Sequence, residues 1–289
     1  MADSYVTLPS GWHMPRLGFG TAGLGSRTEE AVSAALAAGY RLIDTAQAGE
    51  WYREDSVGAA LHKSAVRREQ VFITTKIHPR HLGYDVTTAR IRVSLRALDT
   101  HYLDLLLLHY PECWGNLCDG MQPAGTWKES WRALEAAHRE GTVRSLGVSN
   151  FDAGQVRELL AWAQVPPSVV QAGSDPYASN AVLRAVCREH GIAFVGYSTL
   201  GTQWWGRGYH SGNPVLEARP VVQAASAHGV SPAQVALRWA LQQGQCVIPR
   251  SADAAHMAAN RRLDFVLTPD ELAAIDALDG TVPNLTQEV

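Results

Sequence analysis

The stretch YLDLLLLH (residues 102–109) places four consecutive leucines just before a histidine. Seven other short apolar stretches recur along the chain, and segments with helix signals separate them. They are RLGFGT (16–21), YRLIDT (40–45), VFITTK (71–76), VRSLGVS (143–149), SVVQAG (168–173), IAFVGYS (192–198) and QCVIPRS (245–251). Because most of these stretches are continuously apolar rather than alternating, they indicate parallel strands buried on both faces.

The segments between the strands carry the signals of helix ends. Four of them have Ser or Thr followed three residues later by Glu or Gln, which can satisfy free N–H groups of the first turn; these pairs are Ser26–Glu29, Thr126–Glu129, Ser231–Gln234 and Thr268–Glu271. Glycines that favour helix C-termini end three of these segments, at Gly39, Gly141 and Gly244. Eight strand–helix alternations predict a (β/α)8 TIM barrel that forms a single domain over residues 1–289. Residues 5–13 precede the first strand and are expected to form a β-hairpin across the barrel bottom.

A competing fold is suggested by GFGTAG (residues 18–23), which fits the dinucleotide-binding pattern G-x-G-x-x-G, with Asp44 at the end of the next strand. That pattern requires a helix that opens at the glycines, so that its N-terminus meets a pyrophosphate. Here the best capping residue, Ser26, comes only after a further glycine, Gly25. We therefore favour the barrel over a Rossmann unit.

Composition excludes several classes of function. The chain has 289 residues, 46% of them hydrophobic and 18% charged, and its 25 basic residues nearly balance its 28 acidic ones. Neither a nucleic-acid surface nor a membrane surface is indicated, and we expect a cytoplasmic protein, a monomer or a weak homo-oligomer, without a metal. Four cysteines without a CxxC pair predict free thiols, although CWGNLC (residues 113–118) leaves a disulfide or metal role open.

Polar residues stand at the C-terminal ends of the predicted strands, where the mouth of a barrel collects its catalytic side chains. They are Asp44, Lys76, His109, Ser149, Asn150, Gln171, Tyr197, Ser198, Arg250 and Ser251. Any one of them could be satisfied as an ordinary capping or packing residue. An unpaired charge at the dry end of a barrel is expensive, however, which favours a functional role for Lys76 and His109.

Three of these side chains, together with a tyrosine, would suit the reduction of a carbonyl group. Asp44 could hold Lys76 as an ammonium, and this ammonium would lower the pKa of a nearby tyrosine so that its hydroxyl becomes a usable acid. His109 could donate a hydrogen bond to the substrate oxygen. Tyr52, which directly precedes a predicted helix, is the candidate proton donor.

Taken together, several motifs identify a family. The sequence resembles the aldo-keto reductase superfamily through LGFGT, IDTA, FITTK, DLLLLHYP, GTVRSLGVSNF, YSTLG and QVALRWALQQGQCVIPRS. The resemblance implies the barrel, NADPH/NADP+ as cofactor, a small-molecule carbonyl substrate and a catalytic tetrad of Asp44, Tyr52, Lys76 and His109. The match slips at IDTAQAGEWYRED (43–55), because Gly49 occupies the usual tyrosine position and extra residues precede Tyr52. We assign the acid to Tyr52 and expect the insertion to bulge.

The resemblance also implies a set of cofactor-binding residues. Cofactor contacts fall on Gly20, Thr21, Asp44, Ser149, Asn150, Gln171, Tyr197, Ser198, Leu200, Arg250, Ser251, His256 and Asn260. Arg250 and Ser251 are expected to hold a 2′-phosphate, although His256 stands where a second arginine is usual. For the substrate we expect contacts from Trp51, His109, Tyr110, Trp114, Trp204 and Trp205, the last four on the long mouth loops after the fourth and seventh strands.

Two other functions remain open on the sequence alone. A non-catalytic, nicotinamide-binding barrel could act as a regulatory subunit, and the displaced tyrosine is the feature that favours it. A barrel isomerase or lyase outside the family would need a glycine-rich phosphate loop after the last two strands, and the sequence shows none there.

Overall fold

The structure is a computed structural model that describes residues 5–113, 115–208 and 212–281. Within these residues eight parallel strands follow one another in chain order, and each pairs with the next. They are β3 (Phe19–Gly20), β4 (Leu42–Asp44), β5 (Phe72–Ile77), β6 (Leu105–Leu108), β7 (Leu146–Ser149), β8 (Val169–Gly173), β9 (Ala193–Tyr197) and β10 (Cys246–Val247). All eight predicted strands are therefore present.

The first and last strands of this sheet meet and close it. Gly18 N donates to Val247 O at 2.8 Å, and Val247 N donates to Arg16 O at 2.8 Å. Leu17 and Val247 form a parallel bridge at the same place. At Gly20 an added Cβ would lie 2.7 Å from Ile248 O, so glycine permits the close approach of the two strands. These contacts confirm the barrel and exclude the open Rossmann sheet.

Helices connect the strands and cover the outside of the barrel. They are α1 (Thr28–Ala37), α2 (Glu54–Lys63), α3 (Tyr84–Ala97), α4 (Trp127–Arg139), α5 (Ala153–Trp162), α6 (Ala181–Glu189), α7 (Pro214–Glu217), α8 (Arg219–His228), α9 (Pro232–Gln242), α10 (Ala254–Arg261) and α11 (Pro269–Asp276). Capping boxes at Thr126, Ser231 and Thr268 begin α4, α9 and α11 as predicted. Among the described residues, no helix is long and apolar enough to cross a membrane.

A short hairpin precedes the barrel. Its strands β1 (Tyr5–Thr7) and β2 (His13–Pro15) are antiparallel. Leu8 and Met14 are buried and join one apolar cluster with residues from the barrel strands, among them Leu105 and Val195. The predicted hairpin is thus confirmed, although its second strand extends to Pro15.

Two expectations were wrong. Ser26 does not cap α1, because a 3-10 helix, Gly25–Arg27, precedes it and Arg27 is its N-cap residue. Cys113 and Cys118 are not free thiols: they lie five positions apart in the sequence and form a disulfide, with their Cα atoms 5.7 Å apart. The prediction holds for Cys187 and Cys246, which are free and buried.

Candidate active site at the barrel mouth

The C-terminal ends of the strands surround a cavity of about 340 Å³. Its walls contain thirteen of the residues predicted from the sequence: Gly20, Asp44, Trp51, Tyr52, His109, Tyr110, Ser149, Asn150, Gln171, Tyr197, Ser198, Leu200 and Arg250. A cavity of this size, apolar in part and with convergent polar groups, is the usual form of a small-molecule site. The structure therefore brings most of the candidate residues together around one space.

A buried ion pair at the floor of the cavity joins Asp44, which lines the cavity, to Lys76, which is not one of the lining residues. Lys76 Nζ donates to Asp44 Oδ1 at 2.6 Å and to Thr45 O at 2.9 Å. Gln171 Nε2 donates to the other carboxylate oxygen of Asp44 at 2.8 Å. The side chains of Lys76 and Asp44 are only 1% and 3% exposed, so water cannot replace these partners. Strands β4, β5 and β8 thus fix this charged group from three sides.

Tyr52 reaches this floor from the connection between β4 and α2. The N–H groups of Trp51 and Tyr52 both donate to Ala48 O, at 2.9 and 2.8 Å, so the inserted residues form a tight turn. The turn places Lys76 Nζ 5.0 Å from the centroid of the Tyr52 ring. The same ring lies 5.9 Å from that of His109, edge to face. Tyr52, despite its displaced position in the sequence, lines the cavity between the two residues with which it was grouped.

Burial raises the pKa of the Tyr52 hydroxyl, and the negative charge of Asp44 raises it further, whereas Arg250 opposes the shift. We expected the opposite direction, because Lys76 was to favour the phenolate. Lys76 is bonded to Asp44 as expected, but its ammonium stands over the ring of Tyr52, and burial and the Asp44 charge decide the direction of the shift. The phenol consequently remains protonated at neutral pH, which is the form that a proton donor needs.

His109 is another ionisable group that faces the cavity. Burial, followed by the charge of Lys76, holds the pKa of His109 well below the usual range, so the imidazole is neutral. Its Nδ1 atom is buried and has no hydrogen-bond partner among the described residues. A neutral imidazole retains one N–H group and can donate it to an oxygen in the cavity.

A hydrogen-bonded set of polar side chains also lines the cavity. Asn150, which has a left-handed φ of 60°, donates from Nδ2 to His109 O at 2.9 Å and to Ser149 Oγ at 3.1 Å. The hydroxyl of Tyr197 donates to Asn150 Oδ1 at 2.7 Å. These bonds restrain the orientation of the Asn150 amide and of the Tyr197 ring, both of which line the cavity.

The remaining predicted cofactor residues are less concentrated. Arg250 is exposed, lines the cavity and donates from Nη1 to Ala22 O at 2.9 Å. Ser251 accepts from Asp253 N at 3.0 Å, which places it at the start of α10. His256 and Asn260 lie on α10 and outside the cavity, the first exposed and the second buried. Thr21 is buried and is not one of the cavity-lining residues; its hydroxyl donates to Asp44 O and so restrains the backbone at the end of β4.

The predicted substrate residues divide into two groups. Trp51, 59% exposed, and Tyr110 line the cavity. Trp204 does not: it is only 6% exposed, and its Nε1 donates to Asp175 Oδ2 at 2.8 Å. Trp205 is 61% exposed and lies outside the cavity walls. Trp114 falls outside the described residues.

Sequence reasoning missed six residues of the cavity wall. They are Ala22, Gly23, Thr199, Thr202, Ile248 and Pro249. All six lie within four residues of a predicted site residue and follow the ends of barrel strands, so position at the strand ends was a usable signal. None of the six has an ionisable side chain, so they gave no catalytic signal of their own.

Known proteins are similar to this chain in sequence and fold. The family model described as "Aldo/keto reductase family" matches residues 16–280. An aldo-keto reductase of Mycolicibacterium vanbaalenii is 40% identical over 268 residues, which cover 92% of this chain and 88% of the relative. Glyoxal reductase of Bacillus subtilis is 35% identical over 277 residues, which cover 95% and 92% of the two chains.

Solved structures agree with this comparison. The crystal structure of a Bombyx mori aldo-keto reductase in complex with NADP superimposes with a TM-score of 0.86 at 30% identity. The superposition covers 96% of this chain and 92% of that one. An aldo/keto reductase from Brucella melitensis gives a TM-score of 0.84 at 34% identity, over 95% and 99% of the two chains.

Proposed function

The chain belongs to the aldo/keto reductase family, and we propose that it reduces aldehyde or ketone carbonyls to alcohols with NADPH as cofactor. The observation that carries the proposal is the position of Tyr52, a protonated phenol in the cavity between the Asp44–Lys76 pair and His109. Each part of this group matches a requirement of carbonyl reduction.

The donor set of the cavity fits a nicotinamide nucleotide. Ser149, Asn150 and Gln171 offer hydroxyl and amide groups suited to a carboxamide, and Tyr197 offers an aromatic face. Arg250 offers a guanidinium for a phosphate, and its single exposed bond to a carbonyl is easily exchanged. We infer that these residues hold the cofactor, with Arg250 and Ser251 toward a 2′-phosphate. When bound, the nicotinamide supplies a hydride to the carbonyl carbon.

The chain's own residues then act on the carbonyl oxygen. As this oxygen gains negative charge, the Tyr52 hydroxyl delivers its proton, and the neutral His109 orients the oxygen by a hydrogen bond. Lys76 places its ammonium 5.0 Å from the centroid of the Tyr52 ring and partly offsets the Asp44 charge, which opposes the negative charge that Tyr52 acquires when its proton leaves. Asp44 holds Lys76 in place, because it fixes the ammonium that stands over the phenol ring.

The regulatory alternative drew its support from the displaced tyrosine. That support weakens, because the turn at Ala48 carries Tyr52 back to Lys76 and His109. The placement of an intact acid beside an ion pair favours catalysis.

The test is Tyr52→Phe, which removes one hydroxyl and keeps the ring. We expect single-turnover oxidation of NADPH by an aldehyde to fall roughly a hundredfold to ten-thousandfold, the usual contribution of general acid catalysis. Affinity for NADPH, measured by fluorescence titration, should persist. Tyr84→Phe is the matched control, since Tyr84 is exposed at the start of α3. Near-parental hydride transfer in Tyr52→Phe would end the proposal.

A further inference from the structure

The turn that carries Tyr52 is held at its apex by a contact from the neighbouring strand. Glu50 Oε1 lies 3.0 Å from Nε2 of His78, the first residue after β5. The side chain of His78 is 1% exposed, whereas that of Glu50 is 37% exposed. The buried imidazole of His78, just after β5, thus contacts the carboxylate of Glu50. Glu50 belongs to the inserted segment and directly precedes Trp51 and Tyr52.

The direction of this hydrogen bond is fixed by the other nitrogen of the ring. Nδ1 of His78 accepts from Arg80 N at 3.1 Å and from Arg80 Nε at 3.2 Å. The proton of a neutral ring therefore resides on Nε2, which donates to Glu50. Burial lowers the pKa of His78, in agreement with the neutral form. His78 is a donor that points at Glu50 alone.

Arg80 extends the contact to a third loop. Its Nη2 atom lies 3.4 Å from Leu117 O and 3.4 Å from Asp119 Oδ2, in the loop between β6 and α4. That loop also contains Tyr110, which lines the cavity, and the Cys113–Cys118 disulfide. Glu50, His78 and Arg80, which we call the clasp, therefore join the loops that follow β4, β5 and β6.

The rest of the turn is held mainly by backbone hydrogen bonds, one of which runs from Gly23 N to Trp51 O at 2.7 Å. Its internal bonds run from Trp51 and Tyr52 to Ala48 O, and the exposed Arg53 donates to Gly49 O. Gly49 has open space around its Cα, so its own packing does not restrain the chain. The clasp is the contact that ties this part of the turn to a buried side chain.

We propose that Glu50 and His78 are positioning residues for the proton donor: by holding the inserted turn against β5, they place the Tyr52 hydroxyl over the Asp44–Lys76 pair. This inference rests on the proposed function, because it assigns Tyr52 as the acid. It explains how an insertion at this point is compatible with catalysis. The sequence at the turn is longer than the family pattern. The hydrogen bond from His78 to Glu50 holds this longer turn close to the end of β5.

The test compares Glu50→Leu with Glu50→Gln, since Glu50 is partly exposed and tolerates substitution. Leucine removes the acceptor, whereas glutamine retains an oxygen for the His78 N–H. A misplacement of about 1 Å can cost on the order of a hundredfold in rate, so we expect Glu50→Leu to slow single-turnover hydride transfer about ten- to hundredfold. Glu50→Gln should retain most of the rate, and affinity for NADPH should be unchanged in both. Glu30→Leu, an exposed change on α1, is the control.

Two further measurements separate positioning from general damage. Amide hydrogen exchange of residues 48–53 should accelerate in Glu50→Leu and not in Glu50→Gln, because the bonds to Ala48 O lose their support. In the double variant Tyr52→Phe/Glu50→Leu the rate should equal that of Tyr52→Phe alone, since the turn would no longer carry an acid.

Parental hydride transfer in Glu50→Leu, an equal loss in Glu50→Gln, or an additional loss in the double variant would each overturn the inference. The proposed function fails in a different way, through a Tyr52→Phe variant that turns over normally. In that event the exchange of residues 48–53 would still report whether the clasp holds the turn.

Discussion

Removal of one charge from the floor of the cavity should destabilise the protein strongly. Lys76→Met keeps a side chain of similar length but deletes the ammonium that bonds Asp44 at 2.6 Å and Thr45 O at 2.9 Å. Asp44 would retain the Gln171 amide, 2.8 Å away, as a partner for its buried carboxylate. Because breaking a buried pair leaves an uncompensated charge, we expect the free energy of unfolding to fall by about 3–5 kcal/mol.

Guanidinium chloride unfolding followed by far-UV circular dichroism measures this loss. Lys63→Met is the matched control: Lys63 pairs with Glu29, but these side chains are 67% and 40% exposed, so the loss should stay below about 1 kcal/mol. Asp44→Asn/Lys76→Met should recover much of the stability, since a neutral amide replaces the unpaired carboxylate. A Lys76→Met protein as stable as Lys63→Met would refute the reasoning.

Two further predictions concern the mouth of the barrel. Arg250→Ala should weaken the binding of NADPH far more than that of NADH, measured by fluorescence titration; equal affinities of the parental protein for the two cofactors would contradict the assignment of Arg250 to a 2′-phosphate. Trp204→Phe should lower the free energy of unfolding by about 1–3 kcal/mol and leave the KM for the carbonyl unchanged, because it removes the buried N–H bond to Asp175. Trp51→Ala should change the KM for the carbonyl and leave the free energy of unfolding unchanged, because Trp51 is exposed and lines the cavity. A change in KM caused by Trp204→Phe would place Trp204 in the substrate site.

The fold could be read from the sequence because its signals are local. An apolar run such as the leucines of β6 predicts a buried strand without reference to the rest of the chain. The capping boxes at Thr126 and Ser231 predicted helix starts for the same reason. Ser26 failed because a 3-10 turn intervened, in which Gly25 has a φ of 55° and Thr28 Oγ1 donates to Gly25 O.

The candidate site was predictable only where position along a strand decides it. Asp44, Lys76 and Gln171 end or nearly end their strands, so the barrel brings them to one place. Trp204 and the cysteines of the β6–α4 loop depended on loop conformation, which sequence spacing does not determine. Trp204 turned inward because Asp175 offered a buried acceptor for its N–H.

The contrast between strand and loop also describes how the site works. Asp44 and Lys76 belong to β4 and β5, and their burial leaves them little freedom. Tyr52 belongs to a turn, so its position depends on contacts that can vary without changing the barrel. An insertion that lengthened this turn would move the acid away from the ion pair unless something drew the turn back. Glu50 and His78 supply that contact at 3.0 Å, and His78 lies only two residues beyond Lys76 on the same chain segment. Lys76, whose ammonium stands over the Tyr52 ring, and His78, which we propose positions the turn of Tyr52, therefore both lie at the end of β5. A displacement of this strand end would move both contacts of Tyr52 together.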